Sequence, residues 1–329
     1  MKNCWLWLIL PLVLMTAGCR HTGQLPQDTW LLVSFEKGVP ITYKMVSERV
    51  TEIDLTTSDP SKKSRPQTMS EKLELVMSYT PMEVDPFGLT TLKAECVSAK
   101  VTRSSFSGRK ESQDAMETLP GKGFILKLSP TGEIADYSDL ERITKELGKE
   151  SFDKSATQNI KNPDMLYDFI AMQWFLWDSA AAVPDPVRLT VGQTWQTKQL
   201  VPWPAPLYQP PARITTYTLD HITAEPDQPR KAVIQCRYAL SDEPMKDFVR
   251  PYDETSFQMR GLFGFLRNYK FKSLEGTGTQ IFDIDRGLIE SEQQQYTLNV
   301  MAEFMLPLGD SLPVLTVSQT ISLEYIPNP

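Results

Sequence analysis

The residues able to do chemistry are few and scattered. Histidine occurs twice, as His21 and as His221 in "LDHI". A zinc site or a Ser/His hydrolase needs histidine with organised partners. His221 shares strand parity with Tyr217 and Leu219, which predicts an inward ring held by a hydrogen bond rather than a catalyst. A Ser-x-x-Lys pair needs no histidine, because the lysine can deprotonate the serine. It occurs at Ser34/Lys37, Ser107/Lys110 and Ser151/Lys154. The serine and lysine content of the chain produces such pairs by chance, and no companion motif follows any of them. Asp283 and Asp285 in "FDIDRG" resemble the start of an acid pair or a calcium loop, but the later oxygen ligands are missing. Aspartate at a hairpin mouth commonly bonds its own backbone, which is the expectation here. HExxH, GxSxG and glycine-rich phosphate loops do not occur. The sequence therefore predicts no catalytic set, no metal and no cofactor.

Cysteine is the more informative type. The chain starts with one charge, Lys2, then runs uncharged from Asn3 to Gly18, with an apolar centre from Trp5 to Met15. A bilayer-spanning helix needs roughly 20 apolar residues, so this run reads as an export signal instead. It ends in Thr16-Ala17-Gly18-Cys19, which resembles the lipobox of bacterial lipoproteins, with Thr16 where the motif most often has Leu. That resemblance implies cleavage after Gly18 and acylation of Cys19, and acyl chains contribute about 0.8 kcal/mol per buried CH₂ to membrane binding. Removing residues 1–18 takes away Lys2 alone and leaves 33 basic against 41 acidic residues, net −8. A body of that charge is repelled by nucleic acid and by anionic lipid surfaces. Cys4 leaves with the signal, so Cys96 and Cys236 remain. They either form a disulfide, as exported proteins permit, or stay as two buried thiols.

The elements that would position these residues are mostly strands. Period-two alternation puts Leu73, Leu75, Met77 and Tyr79 on one face, and likewise Leu92, Ala94 and Cys96; Ile234, Cys236, Tyr238 and Leu240; Tyr296, Leu298, Val300, Ala302 and Phe304; Leu315, Val317, Ile321, Leu323 and Tyr325. One apolar and one wet face predict antiparallel sheet. Two helices interrupt the strands. "SDLERITKELG" has Ser138 and Glu141 in capping-box spacing and Gly148 to close it, with Leu140, Ile143 and Leu147 as its stripe. "NPDMLYDFIAMQWFLWDSAAAVP" has Asn162 as cap, Pro163 at the first turn and a broad apolar face, so it should lie deep against the sheet. The strands before and after these helices come in a repeated order, each set ending in a hairpin that turns on glycine, Gly132 or Gly287. The expected fold is α+β and β-dominated: curved antiparallel sheet from an internal duplication, with a helical linker packed on it. The organisation reads as a signal (1–18), a tether (19–38), a first β-rich repeat (39–137), the helical linker (138–186) and a second repeat (187–329).

This layout, with Val191-Gly192-Gln193-Thr194-Trp195 and the Phe282–Ile289 hairpin, resembles a family of uncharacterised predicted bacterial lipoproteins. The resemblance implies architecture and address and brings no activity with it. Arg20 after the acylated cysteine, where Asp resembles an inner-membrane retention signal, implies an outer-membrane protein facing the periplasm if the cell is diderm. Two aromatic stretches offer surfaces. "VPWPAPLYQPPAR" contains Trp203 and reads as a stiff loop packed along the sheet or a polyproline ligand. "SFQMRGLFGFLRNYKFK", with Phe263 and Phe265, reads as a buried helix with snorkelling basic residues, or as a lid or membrane-facing helix. With Trp174 and Trp177 these residues form the candidate surface for an apolar ligand or an envelope protein partner. The function expected is a non-enzymatic, membrane-anchored envelope lipoprotein. The alternatives are a hydrolase using a carboxylate cluster or a Ser/Lys pair, and a structural spacer.

Overall fold

The computed structural model describes residues 27–54, 67–104, 113–152, 165–183, 188–203, 210–251, 266–304 and 314–327. In chain order the strands are β1 (Asp28–Thr29), β2 (Ile41–Asp54), β3 (Gln67–Val84), β4 (Thr90–Ser104), β5 (Gly123–Leu128) and β6 (Ile134–Asp136). Helices α1 (Ser138–Phe152), α2 (Leu166–Phe175) and α3 (Asp178–Ala181) follow. The chain then forms β7 (Leu189–Thr190), β8 (Thr194–Leu200), β9 (Ala212–Thr223), β10 (Lys231–Leu240), β11 (Leu266–Asp283), β12 (Leu288–Phe304) and β13 (Val314–Ile326). Among the described residues no helix is long and apolar enough to cross a membrane.

Eleven strands make one antiparallel sheet in the order β6-β5-β4-β3-β2-β13-β12-β11-β10-β9-β8, and β1 pairs separately with β7. The sheet follows from the alternation. The face of β3 carrying Leu73, Leu75, Met77 and Tyr79 is buried, as is that of β13 carrying Leu315, Val317, Ile321 and Leu323. The meanders β2–β6 and β8–β12 run across the sheet in the same sense, with β13 between them.

The sheet is rolled, and two hydrogen bonds measure the roll. The β5–β6 and β11–β12 turns are six strand spacings apart, roughly 29 Å along a flat sheet. Yet Val33 N–H donates to Pro130 O of the first turn (2.9 Å) and its neighbour Ser34 to Gly287 O of the second (3.0 Å). Both turns hold glycine at positive φ, Gly132 at 89° and Gly287 at 67°. A Cβ on Gly132 would stand 2.9 Å from Val33 Cγ2, and one on Gly287 would stand 2.6 Å from Ser34 N. Glycine is required there by conformation and by space together.

The helices fill the trough. α2 is buried almost all round. Its Phe169 packs edge-on against Phe124 of β5, and its Gln173 accepts from the Tyr79 hydroxyl of β3 at 2.7 Å. The long helix expected over 162–182 is broken at Leu176–Trp177 into α2 and α3. Its expected cap, Asn162 with Pro163, lies outside the described residues. α1 buries Leu140, Ile143 and Leu147 as expected. It does not stop at Gly148 but continues to Phe152, and the Glu141 N–H that a Ser138 cap would take donates to Tyr137 O at 3.0 Å. The Ser138 hydroxyl and N–H both donate to Asp136 Oδ1 instead, at 2.8 and 3.0 Å.

Candidate functional site

Two fully buried arginines organise the trough's interior. Arg49 points inward from β2 and stands 2.7 Å from Glu71 of β3 and 3.0 Å from Asp168 of α2. Arg103 of β4 continues the chain to the other Glu71 oxygen at 3.0 Å and to Asp114, which begins a 3-10 turn at Ala115–Thr118. Charges thus alternate along Asp168, Arg49, Glu71, Arg103 and Asp114. Burial works against the Glu71 anion, but Arg49 and Arg103 together bring its pKa down to about 2. The terminal acids have one arginine each, so burial wins: Asp114 is pushed up to about 6, and Asp168 is also raised. Ser47 Oγ donates to Asp168 at 2.7 Å and Gln319 Nε2 at 3.0 Å, tying α2 to β2 and β13.

Arg213 of β9 is built differently. Its guanidinium lies 4.1 Å from the ring centre of Tyr238, 4.7 Å from Phe175 and 5.1 Å from Tyr296, an aromatic cage. Nε donates to Gln199 at 2.8 Å and Nη2 to Gln294 at 2.6 Å. Each glutamine passes its amide on to an acid, Gln199 to Asp178 of α3 at 2.7 Å and Gln294 to Glu292 at 2.5 Å. Burial raises both carboxyls to about 7. The two arginine centres share one mechanical result: an acid on each helix segment is bonded to the sheet.

Beside the second centre lies a cavity of about 40 Å³. Its walls are Ile170, Ala171, Trp174 and Phe175 of α2, Leu200 of β8, and Met245, Phe248 and Val249 of the segment after β10. Asp178, Lys198, Gln199 and Asp247 are its polar members. This volume holds a water or a few, not an acyl chain. In the covering segment Met245 N–H donates to Pro210 O at 3.3 Å. Phe248 contributes a ring contact to Tyr167 of α2.

The structure disperses most of the residues singled out from sequence. Trp174 lines the cavity and is half-buried, edge-on to Tyr137. Trp177 is interior, packed edge-on against Phe35, Tyr43 and Tyr79, and Trp203 is interior against Phe271. Phe263, Phe265 and Cys19 lie outside the described residues, as do the Ser107/Lys110 pair and Lys154 of the Ser151/Lys154 pair. Val201 N–H donates to Pro211 O at 3.0 Å, so the ends of the proline stretch fold back as a buried β8–β9 connection.

Two expectations are corrected, and the open choice for the cysteines falls to buried thiols. Cys96 and Cys236 are free. They lie on β4 and β10, with five strands between them, and burial pushes the Cys96 thiol up to about 12 and the Cys236 thiol higher. His221 points outward and is half-exposed, with Nδ1 2.9 Å from Asp220. A bulge opposite Val233/Ile234 inserts one residue into β9, so Leu219 and Ile222 face inward and the parity of His221 is reversed. The described part of the aromatic-basic stretch, from Leu266, is the start of β11 rather than helix, with Lys270 and Lys272 outward between the half-buried Tyr269 and Phe271. Asp283, at the mouth of the hairpin, accepts from Arg286 N–H of its own turn at 2.8 Å as expected, whereas Asp285 accepts from Arg230 N–H of the β9–β10 turn at 2.7 Å. The buried arginine centres escaped sequence reading, although one signal existed: Arg49 and Arg213 fall on the inward parity of their strands, where a charge demands a partner.

Comparison with protein-family models and with curated proteins finds no match. Among solved structures, one described as lipid–protein interactions in lipovitellin superposes with a TM-score of 0.40 and 11% sequence identity. The superposition covers 90% of this chain and 26% of the other, so the chain spans about a quarter of that protein's length.

Proposed function

We propose that this chain is a non-enzymatic, lipid-anchored envelope protein whose rolled sheet receives an apolar ligand at the seam between α2, β8 and the segment 245–249. The observation that carries the reading is the cavity at that seam. It has mostly apolar walls with a few polar groups among them, and it is covered by a loop rather than by a regular element. Such lining suits an acyl chain or an apolar peptide side chain with its polar end directed at Lys198 or the Asp178–Gln199 pair. Entry requires the 245–249 cover to swing away, because the present volume is too small for either. The carboxylate cluster offers no hydrolytic alternative of equal weight, since Glu71, Asp114 and Asp168 are sealed in the core and bonded to arginines. Anchoring rests on the signal-like run and on Cys19.

Titration of the purified protein with a fluorescent polyene fatty acid tests the seam. Saturable binding is expected, and Phe248→Asp should weaken it at least tenfold, since a carboxylate placed on the apolar wall costs more than ~1.4 kcal/mol. Binding that is absent, or that Phe248→Asp leaves unchanged, contradicts the assignment.

A further inference from the structure

Antiparallel order puts a defined set of turns at one end of the sheet. β2 starts there, β3 gives way to β4, β5 to β6, β11 to β12, and β13 finishes. The N-terminal segment crosses the same end. Val191 N–H donates to Gln27 O at 2.8 Å, and the next residues pair with β7 before reaching Pro130 and Gly287.

This end carries an exposed apolar patch, set beside the exposed charges of Glu36, Lys37 and Glu83. Trp30 and Leu32 project outward, alternating with the buried Leu31 and Val33. Val39 is exposed on the approach to β2, and Met82 and Val84 on the last turns of β3. Phe87, at the tip of the β3–β4 turn, is 87% exposed. The group is contiguous. Gly38 N–H donates to Pro81 O at 2.8 Å, which places Val39 beside Met82. A Cβ on Gly88 would stand 2.7 Å from Pro130, whose carbonyl accepts from Val33, so the Phe87 turn abuts the segment carrying Leu32. Folding explains none of these exposures. The turn's own acid does not compete for a partner, because Asp85 Oδ1 accepts from the Phe87 and Leu89 amides at 2.8 Å each.

We infer that this end of the sheet, led by Phe87, lies on the surface of the bilayer that holds the protein's own anchor. The inference rests on the anchoring reading and deepens it. Eight residue steps separate Cys19 from Gln27, a reach of at most roughly 28 Å. The sheet is about 60 Å long, judged from the 18 residues of β3. The tether therefore keeps the apolar end near the lipid and leaves the opposite end, where Val314 begins β13, in water. Exposed aromatic and aliphatic side chains at the near end enter the interfacial zone, as they do in peripheral membrane proteins.

The test uses the full lipidated protein in vesicles of phosphatidylethanolamine and phosphatidylglycerol. A nitroxide is attached in turn at Phe87→Cys and Val314→Cys, while the buried Cys96 and Cys236 stay unlabelled. Collisions with a water-soluble nickel chelate should fall several-fold at position 87 relative to position 314, and collisions with oxygen should rise. Equal, water-like accessibility at both positions in protein that stays with the vesicles overturns this inference and leaves the anchor standing. Protein that does not float with the vesicles overturns both. Because both sites are exposed and remote from the core, neither label disturbs folding.

Discussion

At the residue scale the interior is held by charge placed where alternation demands apolar side chains. Arg49 and Arg213 occupy inward positions, and each is made tolerable in its own way. The first has carboxylates on both sides, the second has π-faces and two glutamines relaying its charge to Asp178 and Glu292. The pKa shifts give a pH dependence with a definite sign. Asp114 (about 6), Asp178 and Glu292 (each about 7) hold protons in the folded state that they lose when unfolded, since their unfolded values are near 4. Between pH 4 and pH 7 the folded chain thus binds more protons, so stability must fall as pH rises through that window. Glu71 acts oppositely, but its contribution is complete above its unfolded pKa and is lost only as pH falls towards about 2. A thermal melt followed by circular dichroism should therefore show a midpoint several degrees lower at pH 8 than at pH 5. A midpoint that is flat or rises over this range would contradict the burial of these acids.

Elements were the most legible level in the sequence, and the misses have local causes. The inward sets of β3, β10, β12 and β13 follow period two because one face of the sheet is packed and the other is wet. That logic fails only where a residue is inserted. The bulge in β9 turns His221 outward, and no single-sequence pattern announces it. The aromatic-basic stretch misled because its charges and rings suit a helix face as well as a strand edge. The helix break at Trp177 was hidden because both sides of it are apolar and helix-forming. Trp177 is the hub where α2 ends: its ring meets Phe35, Tyr43 and Tyr79, and its carbonyl would stand 3.1 Å from a Cβ placed on Gly132. Trp177→Ala should cost about 3–5 kcal/mol in urea unfolding, with loss of near-ultraviolet dichroism. The exposed Trp30→Ala should change stability by no more than ~0.5 kcal/mol. Equal small effects would mean that the trough does not depend on this packing.

At the scale of the whole molecule, a β-dominated fold with a helix on its sheet was readable. The order of the strands was not, because pairing between β13 and β2 joins residues near opposite ends of the chain. The result is a rolled sheet filled by its own helix, apolar at the end where the N-terminal segment crosses and covered by a loop at the α2–β8 seam. On the proposed reading of the chain as lipid-anchored, both features have a use for their apolar surface. The most direct test of that account is native mass spectrometry of the protein gently extracted from the membrane fraction of cells that express it. The predicted spectrum shows a chain beginning at Cys19 with the added mass of acyl groups, and a further population carrying a non-covalent apolar molecule that Phe248→Asp removes. An unacylated chain without any such adduct would contradict both the anchor and the ligand seam.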